Sequence, residues 1–558
     1  MAIISRRVAK KKHIYLKEVN SMSIPLNGLM WGAAILPIIV LMFLMIKLNW
    51  GATKAAPVGL VIALVTGFFL YKGTPAVLGW EIVKGLWSAF TVILVVWPAI
   101  LIYEVVDYAG AFKVFRKGMQ KFSPNELLQV VIIGWVFVSF LQGVTGFGVP
   151  VAVGAPLLVG LGVQPLYAVI ITLCGHAWGN TFGTLAVAWD ALVLSADLSS
   201  DPALLLSTAM WAAIFIWVWN AITGVAICWF YGKAEGLKKG LPAVAAVSLL
   251  QAGGQLVFSQ INQTIACFVP CCIALLASIL IGRTKMYNTP WKIEDSAIMN
   301  RAKGGEGADE GPADMTMLQA FVPYLLLTAI TLIVLLIQPI KNFLGVVKIG
   351  FAVPETVTGY GFVNAAAAPY SPVAILTHAF TFLLIASIVG FFYYAKHGWV
   401  KSSDFGKVLK LSVDEALPSA IAVVAFLVMS RLMSGTGQTV VLARGIVEVL
   451  GQWYAVLAAI VGTLGSFMTS SNMASNVLFA DFQLTTAELL GFDPAPILGA
   501  QTAGGAIGNT ICPGNIILGT TTAGILGQEG LVLKKILPLT LTAAAIVGVI
   551  LLFTLVIF

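Results

Sequence analysis

LGVQPLYAVIITLCGHAWGNT occupies residues 161–181 of the chain, and LGFDPAPILGAQTAGGAIGNT occupies residues 490–510. Both stretches open with Leu-Gly-x-x-Pro and close with Gly-Asn-Thr. The prolines at 165 and 494 and the threonines at 181 and 510 share one offset of 329 positions. A repeat that lies once in each half of a 558-residue chain predicts a fold that contains the same structural unit twice.

The composition around the repeat is that of a membrane protein. Hydrophobic residues make up 59% of the chain and charged residues 10%, and the mean hydropathy is +0.95. Soluble domains carry about 25% charged residues. Runs such as 29–46, 89–106 and 536–558 approach the ~20 apolar residues that a membrane-crossing helix needs. The sequence therefore predicts an all-α polytopic membrane protein with roughly 12–14 transmembrane helices.

The net charge of +8 is explained by membrane topology and does not indicate a nucleic-acid partner. Basic residues share short loops, for example Lys113, Arg116, Lys117 and Lys121, whereas the connection 195–201 has no Lys or Arg. This asymmetry predicts that the basic loops and the N-terminus face the cytoplasm, with the chain in the cytoplasmic membrane. The basic N-terminal segment lacks the pattern of a cleaved signal peptide and is expected to be retained.

The repeat divides the chain into two transmembrane halves, and in each half an unusually polar stretch precedes the repeated one. These stretches, 139–156 and 465–480, contain too much Gly, Ser, Thr, Asn or Pro for an unbroken lipid-facing helix. The predicted units are a cytoplasmic segment 1–28, a first half 29–282 with hairpin 139–163 and broken helix 165–192, a solvent-exposed polar loop 283–317, and a second half 318–558 with hairpin 465–490 and broken helix 494–527.

The charges of the loops predict that the two halves are inverted. The loop ahead of the first copy carries four basic residues, whereas its counterpart at 434–450 has only Arg444, which Glu448 opposes. Inverted repeats with broken helices form one mid-membrane site in secondary transporters, where free N–H groups suit anions and free oxygens suit cations. Close helix packing through small residues is the alternative interpretation of the same composition. Two such stretches, each followed by Gly-Asn-Thr, favour the transport site.

Other function classes fit the sequence less well. HExxH and GxxxxGK[ST] are absent, and the six cysteines lie in apolar surroundings without zinc-ligand spacing. We therefore predict a protein that is not an enzyme and that holds no cofactor or structural metal. A channel would use similar carbonyls, but a duplicated broken-helix pattern favours alternating access. The expected partners are a small organic anion and the lipid bilayer.

Several motifs resemble those of the L-lactate permease family. They are LQGVTGFGVPVA (141–152), LLVGLG (157–162), PLYA (165–168), SSNMASNVLF (470–479) and GGAIGNTICP (504–513). The resemblance implies uptake of lactate, glycolate or another short 2-hydroxy monocarboxylate, usually together with a proton. This chain departs from the family pattern at three motif charges. Gln142 stands where the family has Glu, Asn472 where it has Asp, and Asn509 where it has Lys.

The departures leave the coupling ion open between H⁺ and Na⁺. An amide does not titrate near neutral pH, so proton coupling would need His176, Glu104 or Asp190. Asn472 is the fourth predicted coupling-ion position, through its neutral oxygen. Neutral oxygens at Asn180, Asn472 and Asn509 would suit Na⁺. The alternative function is a sodium-coupled carrier of a dicarboxylate or a sulfonate.

The predicted substrate-binding residues combine the two hairpins, the two repeated stretches and one arginine. Arg431 lies in an apolar run, where it could serve either the substrate or the interface. The full set is Gln142, Thr145, Gly146, Phe147, Gly148, His176, Asn180, Thr181, Arg431, Ser471, Asn472, Asn476, Asn509 and Thr510.

Overall fold

The structure, a computed structural model, describes residues 24–48, 50–146, 148–301, 312 and 314–557. Most of the predicted N-terminal segment 1–28, the candidate residue Phe147 and part of the polar loop 283–317 lie outside the described residues. The described residues are mainly helical, and a small β-region lies between two of the helices.

The helices, numbered in chain order, are α1 (Gly28–Met42), α2 (Ala52–Phe69), α3 (Pro75–Tyr108), α4 (Ala111–Met119), α5 (Glu126–Val144), α6 (Val149–Gly160), α7 (Pro165–Ala177), α8 (Gly183–Ser195), α9 (Pro202–Ile261), α10 (Phe268–Arg283), α11 (Met317–Ala320), α12 (Val322–Leu336), α13 (Gln338–Leu344), α14 (Ala379–Lys396), α15 (Phe405–Gly435), α16 (Gln438–Leu450), α17 (Tyr454–Thr469), α18 (Asn472–Leu490), α19 (Pro494–Gly508), α20 (Pro513–Thr522) and α21 (Glu529–Leu552). The strands are β1 (Lys348–Val353), β2 (Thr356–Val357), β3 (Val363–Asn364) and β4 (Ala367–Ala374).

The prediction of a helical polytopic membrane protein is confirmed. Within the described ranges, nine helices are long and apolar enough to cross a membrane, or ten if α12 and α13, which meet at a bend of 89°, form one span. Shorter apolar helices at Gly28–Leu41, Val149–Gly160 and Gly183–Ser195 fall below that length. The predicted 12–14 spans included such runs, because apolar composition alone does not reveal how long a helix is.

The repeated sequence motif corresponds to a repeated backbone pattern. Gly162 and Gly491 end one helix with positive φ angles of 98° and 71°. Pro165 and Pro494 then stand at the first turn of the next helix, where proline has no hydrogen bond to lose. At the other end of each copy the α-helix gives way to a 3₁₀ turn, Trp178–Asn180 in the first half and Asn509–Ile511 in the second. Leu-Gly-x-x-Pro therefore encodes the turn, and Gly-Asn-Thr encodes the break.

Packing of two long helices places the halves in opposite orientations. Helices α3 and α15 are antiparallel, since Gly85 packs on the backbone of Val428 and the Trp97 Nε1–H donates to Ser412 Oγ at 3.2 Å. The chain leaves α3 at Tyr108 towards the first hairpin and leaves α15 at Gly435 towards the second. Because these exits lie at opposite ends of one antiparallel pair, the two hairpins start from opposite faces.

Contacts of helix α21 independently show that the two halves have opposite orientations. Near its start, the Lys535 Nζ donates to the Tyr167 hydroxyl at the beginning of α7, at 3.3 Å. Towards its end, a Cβ at Gly548 would lie 2.3 Å from the Val456 carbonyl oxygen at the beginning of α17. By the offset of 329, α17 corresponds to α5, and α5 begins on the same side as α7, because the loop at residues 291–301 contacts both Glu126 and Gln164. The two halves therefore begin at opposite ends of α21, as the inverted-repeat prediction requires.

Two regions differ from the sequence-based expectation. The loop that was predicted to be solvent-exposed is docked, because the Gln164 N–H donates to the Ile298 carbonyl at 2.7 Å and Ile298 is fully buried. Arg301 in this loop forms an ion pair of 2.7 Å with Glu126, at the start of α5. The carboxylate of Glu126 raises the pKa of Arg301 further above its ordinary range. The polar composition of this loop did not predict that it packs against the protein and holds the turn between α6 and α7.

The second unexpected region is the β-region at residues 348–374, called the strap below. Strand β1 pairs with β4 in antiparallel register, with Ile349 opposite Val373. The strap is fastened to α3, because the Trp87 Nε1–H donates to the Ser371 carbonyl at 3.0 Å and the Thr74 hydroxyl donates to the Val357 carbonyl at 3.2 Å. It therefore covers the end of the molecule opposite the basic loop at residues 113–121.

Inversion makes a testable prediction about loop sidedness. Lys113, after α3, and Glu448, before α17, are both exposed. We expect a single cysteine at Lys113 to react with an impermeant maleimide only from the cytoplasmic side of oriented vesicles. A cysteine at Glu448 should react only from the other side. Both should react after permeabilisation, and reaction of both from one side would contradict the inverted arrangement.

Candidate functional site

A cavity of about 230 Å³ lies where the two hairpins, the two broken helices and α15 meet. Its walls differ in chemistry. The polar wall comes from the hairpin tips and helix breaks, and α15 supplies an apolar wall of Ala422, Val423 and Phe426. The polar lining residues are Thr53, Gln142, His176, Asn180, Thr184, Ser419, Thr469, Ser470, Ser471, Asn472, Asn509 and Asn515. Such a site can hold a small molecule with one polar and one apolar end.

The tips of the hairpins are sharp because their backbones take unusual conformations. Gly146 and Gly148 have φ angles of +59° and +87°, which glycine adopts without a steric penalty. Ser470 has a φ of +57° at the second tip, and the Ser471 hydroxyl oxygen accepts a hydrogen bond from the Ala474 N–H. Each tip reverses the chain within two to four residues and leaves a helix start facing the cavity.

Helix ends give the cavity its electrostatic character. The N-termini of α6, α18 and α20 face it through Gly148, Ser471 and Asn515. The C-termini of α7 and α19 face it through His176 and Asn509. Each N-terminus carries a partial positive charge of roughly half a unit, and each C-terminus a similar negative one. The site can therefore stabilise an anion beside a proton or a small cation without a full lysine or arginine charge.

Two amides on the first-half side have unsatisfied polar atoms. The Gln142 Nε2–H donates to Asn180 Oδ1 at 2.9 Å. Gln142 Oε1 and Asn180 Nδ2 are buried and have no hydrogen-bond partner among the described residues. Unsatisfied buried groups cost about 1–3 kcal/mol each, so a donor and an acceptor left open at a cavity wall indicate a ligand that completes them.

His176 joins the two halves across the cavity. Its Nδ1 lies 2.8 Å from the Thr172 carbonyl oxygen, which only accepts, so Nδ1 carries a hydrogen. Its Nε2 lies 3.2 Å from Asn509 Oδ1, which also accepts a hydrogen bond from Asn515 Nδ2 at 2.7 Å. A second proton on His176 would sit on Nε2 and donate to Asn509. A neutral His176 instead requires the Asn509 amide to turn its NH₂ group to the ring.

A second group of polar side chains lies directly behind Asn472. The Asn472 Nδ2–H donates to Thr181 Oγ1 at 3.2 Å, and the Thr181 hydroxyl donates to the Thr502 carbonyl at 3.1 Å. Asn476 Nδ2 donates to Thr502 Oγ1 at 2.9 Å and to the Ala188 carbonyl at 2.8 Å. Thr181 and Asn476 therefore support the cavity wall and do not line it. The network holds α18 against α8 and α19.

Three more predicted residues are placed next to the cavity or away from it. The Thr145 hydroxyl donates to the Leu141 carbonyl within its own helix, and the Thr510 hydroxyl contacts Thr540 of α21. Neither of these threonines lines the cavity. Gly146 packs so closely on Thr184 that a Cβ would lie 2.1 Å from its Oγ1. The threonines satisfy helix backbone and helix packing, so their role is structural.

Arg431, which was predicted to bind the substrate, does not line this cavity in the structure. Its guanidinium donates to the Leu194 carbonyl and lies over the Tyr370 ring, 5.7 Å from the ring centroid. Arg431 is about 7.5 Å along α15 from Phe426, the last α15 residue in the cavity wall. Arg431 therefore lies beyond the cavity along α15, towards the end of the helix at Gly435.

The two acids that were considered for coupling also lie elsewhere. The Glu104 carboxyl is within hydrogen-bonding distance of Glu415, on the antiparallel neighbour α15. Asp190 lies on α8, two residues after the last α8 residue of the cavity wall, and has no hydrogen bond or ion pair among the described residues. Of the predicted coupling positions, only His176 and Asn472 line the cavity.

Sequence reasoning missed part of the site. Thr184 and Asn515 follow the two Gly-Asn-Thr motifs by three and five residues, so continued inspection of the repeat would have found them. The α15 wall carries no such signal, because Ala422, Val423 and Phe426 belong to an ordinary apolar run. Only the packing of α15 against the hairpins reveals its role.

Comparisons with known proteins match nearly the whole chain. The profile of the L-lactate permease family matches residues 32–558. A putative L-lactate permease of Haemophilus influenzae is 26% identical over 539 residues, 91% of this chain and 95% of that protein. The L-lactate permease of Escherichia coli K12 is 28% identical over 557 residues, 93% and 94% of the two chains. Glycolate permease GlcA of the same strain is 26% identical over 563 residues, 95% and 97% of the two chains.

Among solved structures, the YdaH transporter of Alcanivorax borkumensis, described as having an unusual topology, is similar over 83% of this chain and 84% of its own. The TM-score is 0.39 and the sequence identity is 15%. At this level of similarity, neither fold nor mechanism is carried from that protein to this chain.

Proposed function

Since the chain belongs to the L-lactate permease family, we propose that it is a secondary active transporter of a lactate- or glycolate-type 2-hydroxy monocarboxylate. The observation that carries this proposal is the convergence of three helix N-termini on one small cavity with an apolar opposite wall. Three partial charges suit a single carboxylate. The α15 wall suits the short aliphatic part of such an acid.

The same charge argument favours a monocarboxylate over the alternative dicarboxylate. Among the described residues that line the cavity, His176 is the one ionisable side chain. A dianion would need a second full positive charge, since partial dipole charges compensate a buried ion only incompletely. Hydroxyl and amide groups on the polar wall, Gln142 and Asn180 among them, offer partners for the 2-hydroxyl group.

Counterflow in proteoliposomes tests the substrate class. Proteoliposomes that contain the purified protein and are loaded with unlabelled lactate, glycolate or 2-hydroxybutyrate should take up labelled lactate by exchange. Malate, succinate and a short alkyl sulfonate should not drive exchange. Exchange by dicarboxylates or sulfonates but not by lactate would overturn the proposal. Saturable uptake against a concentration gradient would exclude a channel.

Proton coupling through His176 is the mechanism that this cavity supports best. Protonation of Nε2 adds one positive charge beside Asn509, where three helix N-termini already favour an anion. A bound anion therefore favours the proton and the bound proton favours the anion, which is the reciprocal linkage that symport requires. The pair is neutral overall and crosses the low-dielectric interior at lower cost than either ion alone.

Replacing His176 tests the proton mechanism. Wild-type uptake should rise as the external pH falls, because the protonated ring binds the anion more tightly. His176→Asn keeps a polar group without a titrating proton, so its uptake should be weaker and nearly independent of pH between about 5 and 8. His397→Asn is the matched control, since His397 Nδ1 also meets an i−4 carbonyl, Tyr393, but on an exposed surface. An unchanged pH profile in His176→Asn would exclude His176 as the proton carrier.

A sodium-coupled carrier is the second candidate, and one observation favours it. The side-chain oxygens of Gln142, Asn472 and Asn476 are buried without hydrogen-bond partners among the described residues. Neutral oxygens at broken helices can coordinate Na⁺. Uptake measured with sodium replaced by potassium at constant pH separates the candidates, because a proton symporter is indifferent to that exchange.

The proposed location is the cytoplasmic membrane, with the basic loops on the cytoplasmic side. On this orientation, the strap lies on the outer face, and inward uptake passes from the strap side through the cavity to the basic-loop side. The sidedness experiment on Lys113 and Glu448 also tests this assignment.

The start of α1 also lies on the strap side, because Ile24 packs at Gly437 and the Tyr71 hydroxyl donates to the Met30 carbonyl at 2.7 Å. The prediction that the N-terminus shares a side with the basic loops therefore does not agree with the packing of α1.

A further inference from the structure

A second polar cluster, which the transport site does not use, lies between the cavity and the strap. Lys84 and Glu81 on α3 form an ion pair of 2.6 Å, and both residues are buried. Arg431 on α15 lies within electrostatic range of Glu81, Asp197 and Asp481. Buried charges are costly in a membrane protein and are usually associated with function.

Tyr370 of the strap covers both cations. The Lys84 Nζ lies 5.8 Å and the Arg431 Cζ 5.7 Å from the centroid of its ring. The Tyr370 hydroxyl is buried and has no hydrogen-bond partner among the described residues. One aromatic ring thus bridges cations on α3 and α15, an arrangement whose attraction grows as water is excluded.

Arg431 also connects the two elements that flank the cavity. Helix α8 lines the cavity as far as Ala188, and Arg431 on α15 donates to the carbonyl of Leu194, about 9 Å further along α8. The bond therefore closes the gap between α8 and α15 directly on the strap side of the cavity. The Asn364 Nδ2–H of the strap donates to the Gly435 carbonyl at 2.9 Å and holds the strap over this closure.

We propose that Tyr370, Lys84 and Arg431 form the gate on the strap side of the cavity, and that their two cations are the first binding site of the incoming carboxylate once the gate opens. In this structure the gate is closed. Opening lifts Tyr370 from the cations and frees Arg431 from the Leu194 carbonyl. A carboxylate then pairs with Arg431 through two parallel hydrogen bonds.

The competing acids explain why the site releases the anion. Glu81 pairs with Lys84, and Glu81, Asp197 and Asp481 lie within electrostatic range of Arg431, so the incoming carboxylate competes with protein carboxylates for both cations. The carboxylate as ligand rests on the proposed function, whereas the gate does not, and the two parts are tested separately.

The gate is tested by access to a cysteine at Val423, which lines the cavity and is 4% exposed. The background is a variant with all six native cysteines replaced that still transports. An impermeant maleimide, added from the strap side without substrate, should label Val423→Cys slowly. Tyr370→Ala and Arg431→Gln should each raise the labelling rate about tenfold, since each removes a contact that favours closure.

Three controls make the labelling result specific. Tyr360→Ala removes another strap aromatic that contacts a lysine, Lys72 at 4.4 Å, and should leave the rate unchanged. Tyr370→Phe keeps the ring and should also leave it unchanged. Labelling from the basic-loop side should be the same in all variants. Rates within twofold of the parent for both gate variants, or an equal rise in Tyr360→Ala, would overturn the gate.

The anion part is tested by sided kinetics. Arg431→Gln should raise the KM for lactate added on the strap side about tenfold or more and leave the KM for lactate added on the basic-loop side unchanged. Arg431→Lys should recover part of the loss. A KM raised equally from both sides would assign Arg431 to the central site. Faster labelling without any change of KM would support the gate and would contradict the proposal that its cations bind the incoming carboxylate.

Discussion

Valine in place of Gly148 is expected to reduce uptake at least tenfold while the protein still reaches the membrane. Gly148 caps α6 at a φ of +87°, a conformation that costs a side-chain-bearing residue roughly 1–2 kcal/mol, and more when it is β-branched. A Cβ there would also lie 2.5 Å from Leu518 and 3.3 Å from Asn515 Oδ1. The tip must therefore move, and the N-termini of α6 and α20 separate. Uptake per molecule in proteoliposomes measures the loss.

Gly398 provides the matched control for backbone strain. It has a φ of +82° in the turn between α14 and α15, and a Cβ there would meet no atom within 4 Å. Gly398→Val therefore carries the same backbone strain without disturbing the cavity and should transport like the wild type. If both variants lose uptake equally, the Gly148 effect is a general loss of stability and the cavity assignment loses its support.

Much of the site could be predicted because the repeat encodes backbone geometry directly. Leu-Gly-x-x-Pro requires a left-handed glycine followed by a helix start, and Gly-Asn-Thr marks where each helix breaks. Backbone without helical hydrogen bonds is tolerated inside a bilayer only where it lines a cavity or is buried in protein. Helix breaks within membrane-spanning segments therefore predict a functional site. His176, Asn180 and Asn509 follow from that reasoning, and all three line the cavity.

Arg431 shows where prediction from the sequence fails. An arginine in an apolar run signals a buried partner, but the sequence does not identify that partner. The partners are the Leu194 carbonyl and Tyr370, which come from a helix and a strap that lie far away in the chain. A periodic apolar pattern could place Arg431 on α15 but not its height above the cavity. The strap itself was not predicted, because its short strands are defined by pairing with each other.

The amides that replace the family charges are placed consistently with this picture. The motif resemblance puts Asn509 at the position of a family lysine, and Asn509 contacts His176 and Asn515. The positive charge that a lysine would supply is here divided between a titratable ring and helix N-termini. Binding strength should then depend on pH more steeply than in a site with a permanent cation.

Aspartate in place of Asn509 is expected to cause the largest loss of affinity, because it adds a negative charge where the anion binds. Two carboxylates about 4 Å apart repel each other by roughly 4 kcal/mol at an effective dielectric constant of 20, which is a several-hundredfold rise in KM. The new side chain has the shape of the old one and can still accept from Asn515. Lowering the pH should protonate the introduced carboxylate and restore part of the uptake.

Asn509→Lys introduces a positive charge at the same position instead of a negative one. It restores the charge of the family motif, so its affinity for lactate should equal or exceed that of the wild type and should depend less on pH. Asn27→Asp is the control for an added carboxylate. Asn27 caps α1, its Oδ1 accepting from the Met30 N–H at 2.9 Å, and aspartate caps helices equally well. His176 Nε2 lies 3.2 Å from Asn509 Oδ1, so a protonated His176 could neutralise the introduced carboxylate. A KM that is unchanged both in Asn509→Asp and in the double variant Asn509→Asp/His176→Asn, measured at a pH where the carboxylate is ionised, would show that the anion binds elsewhere.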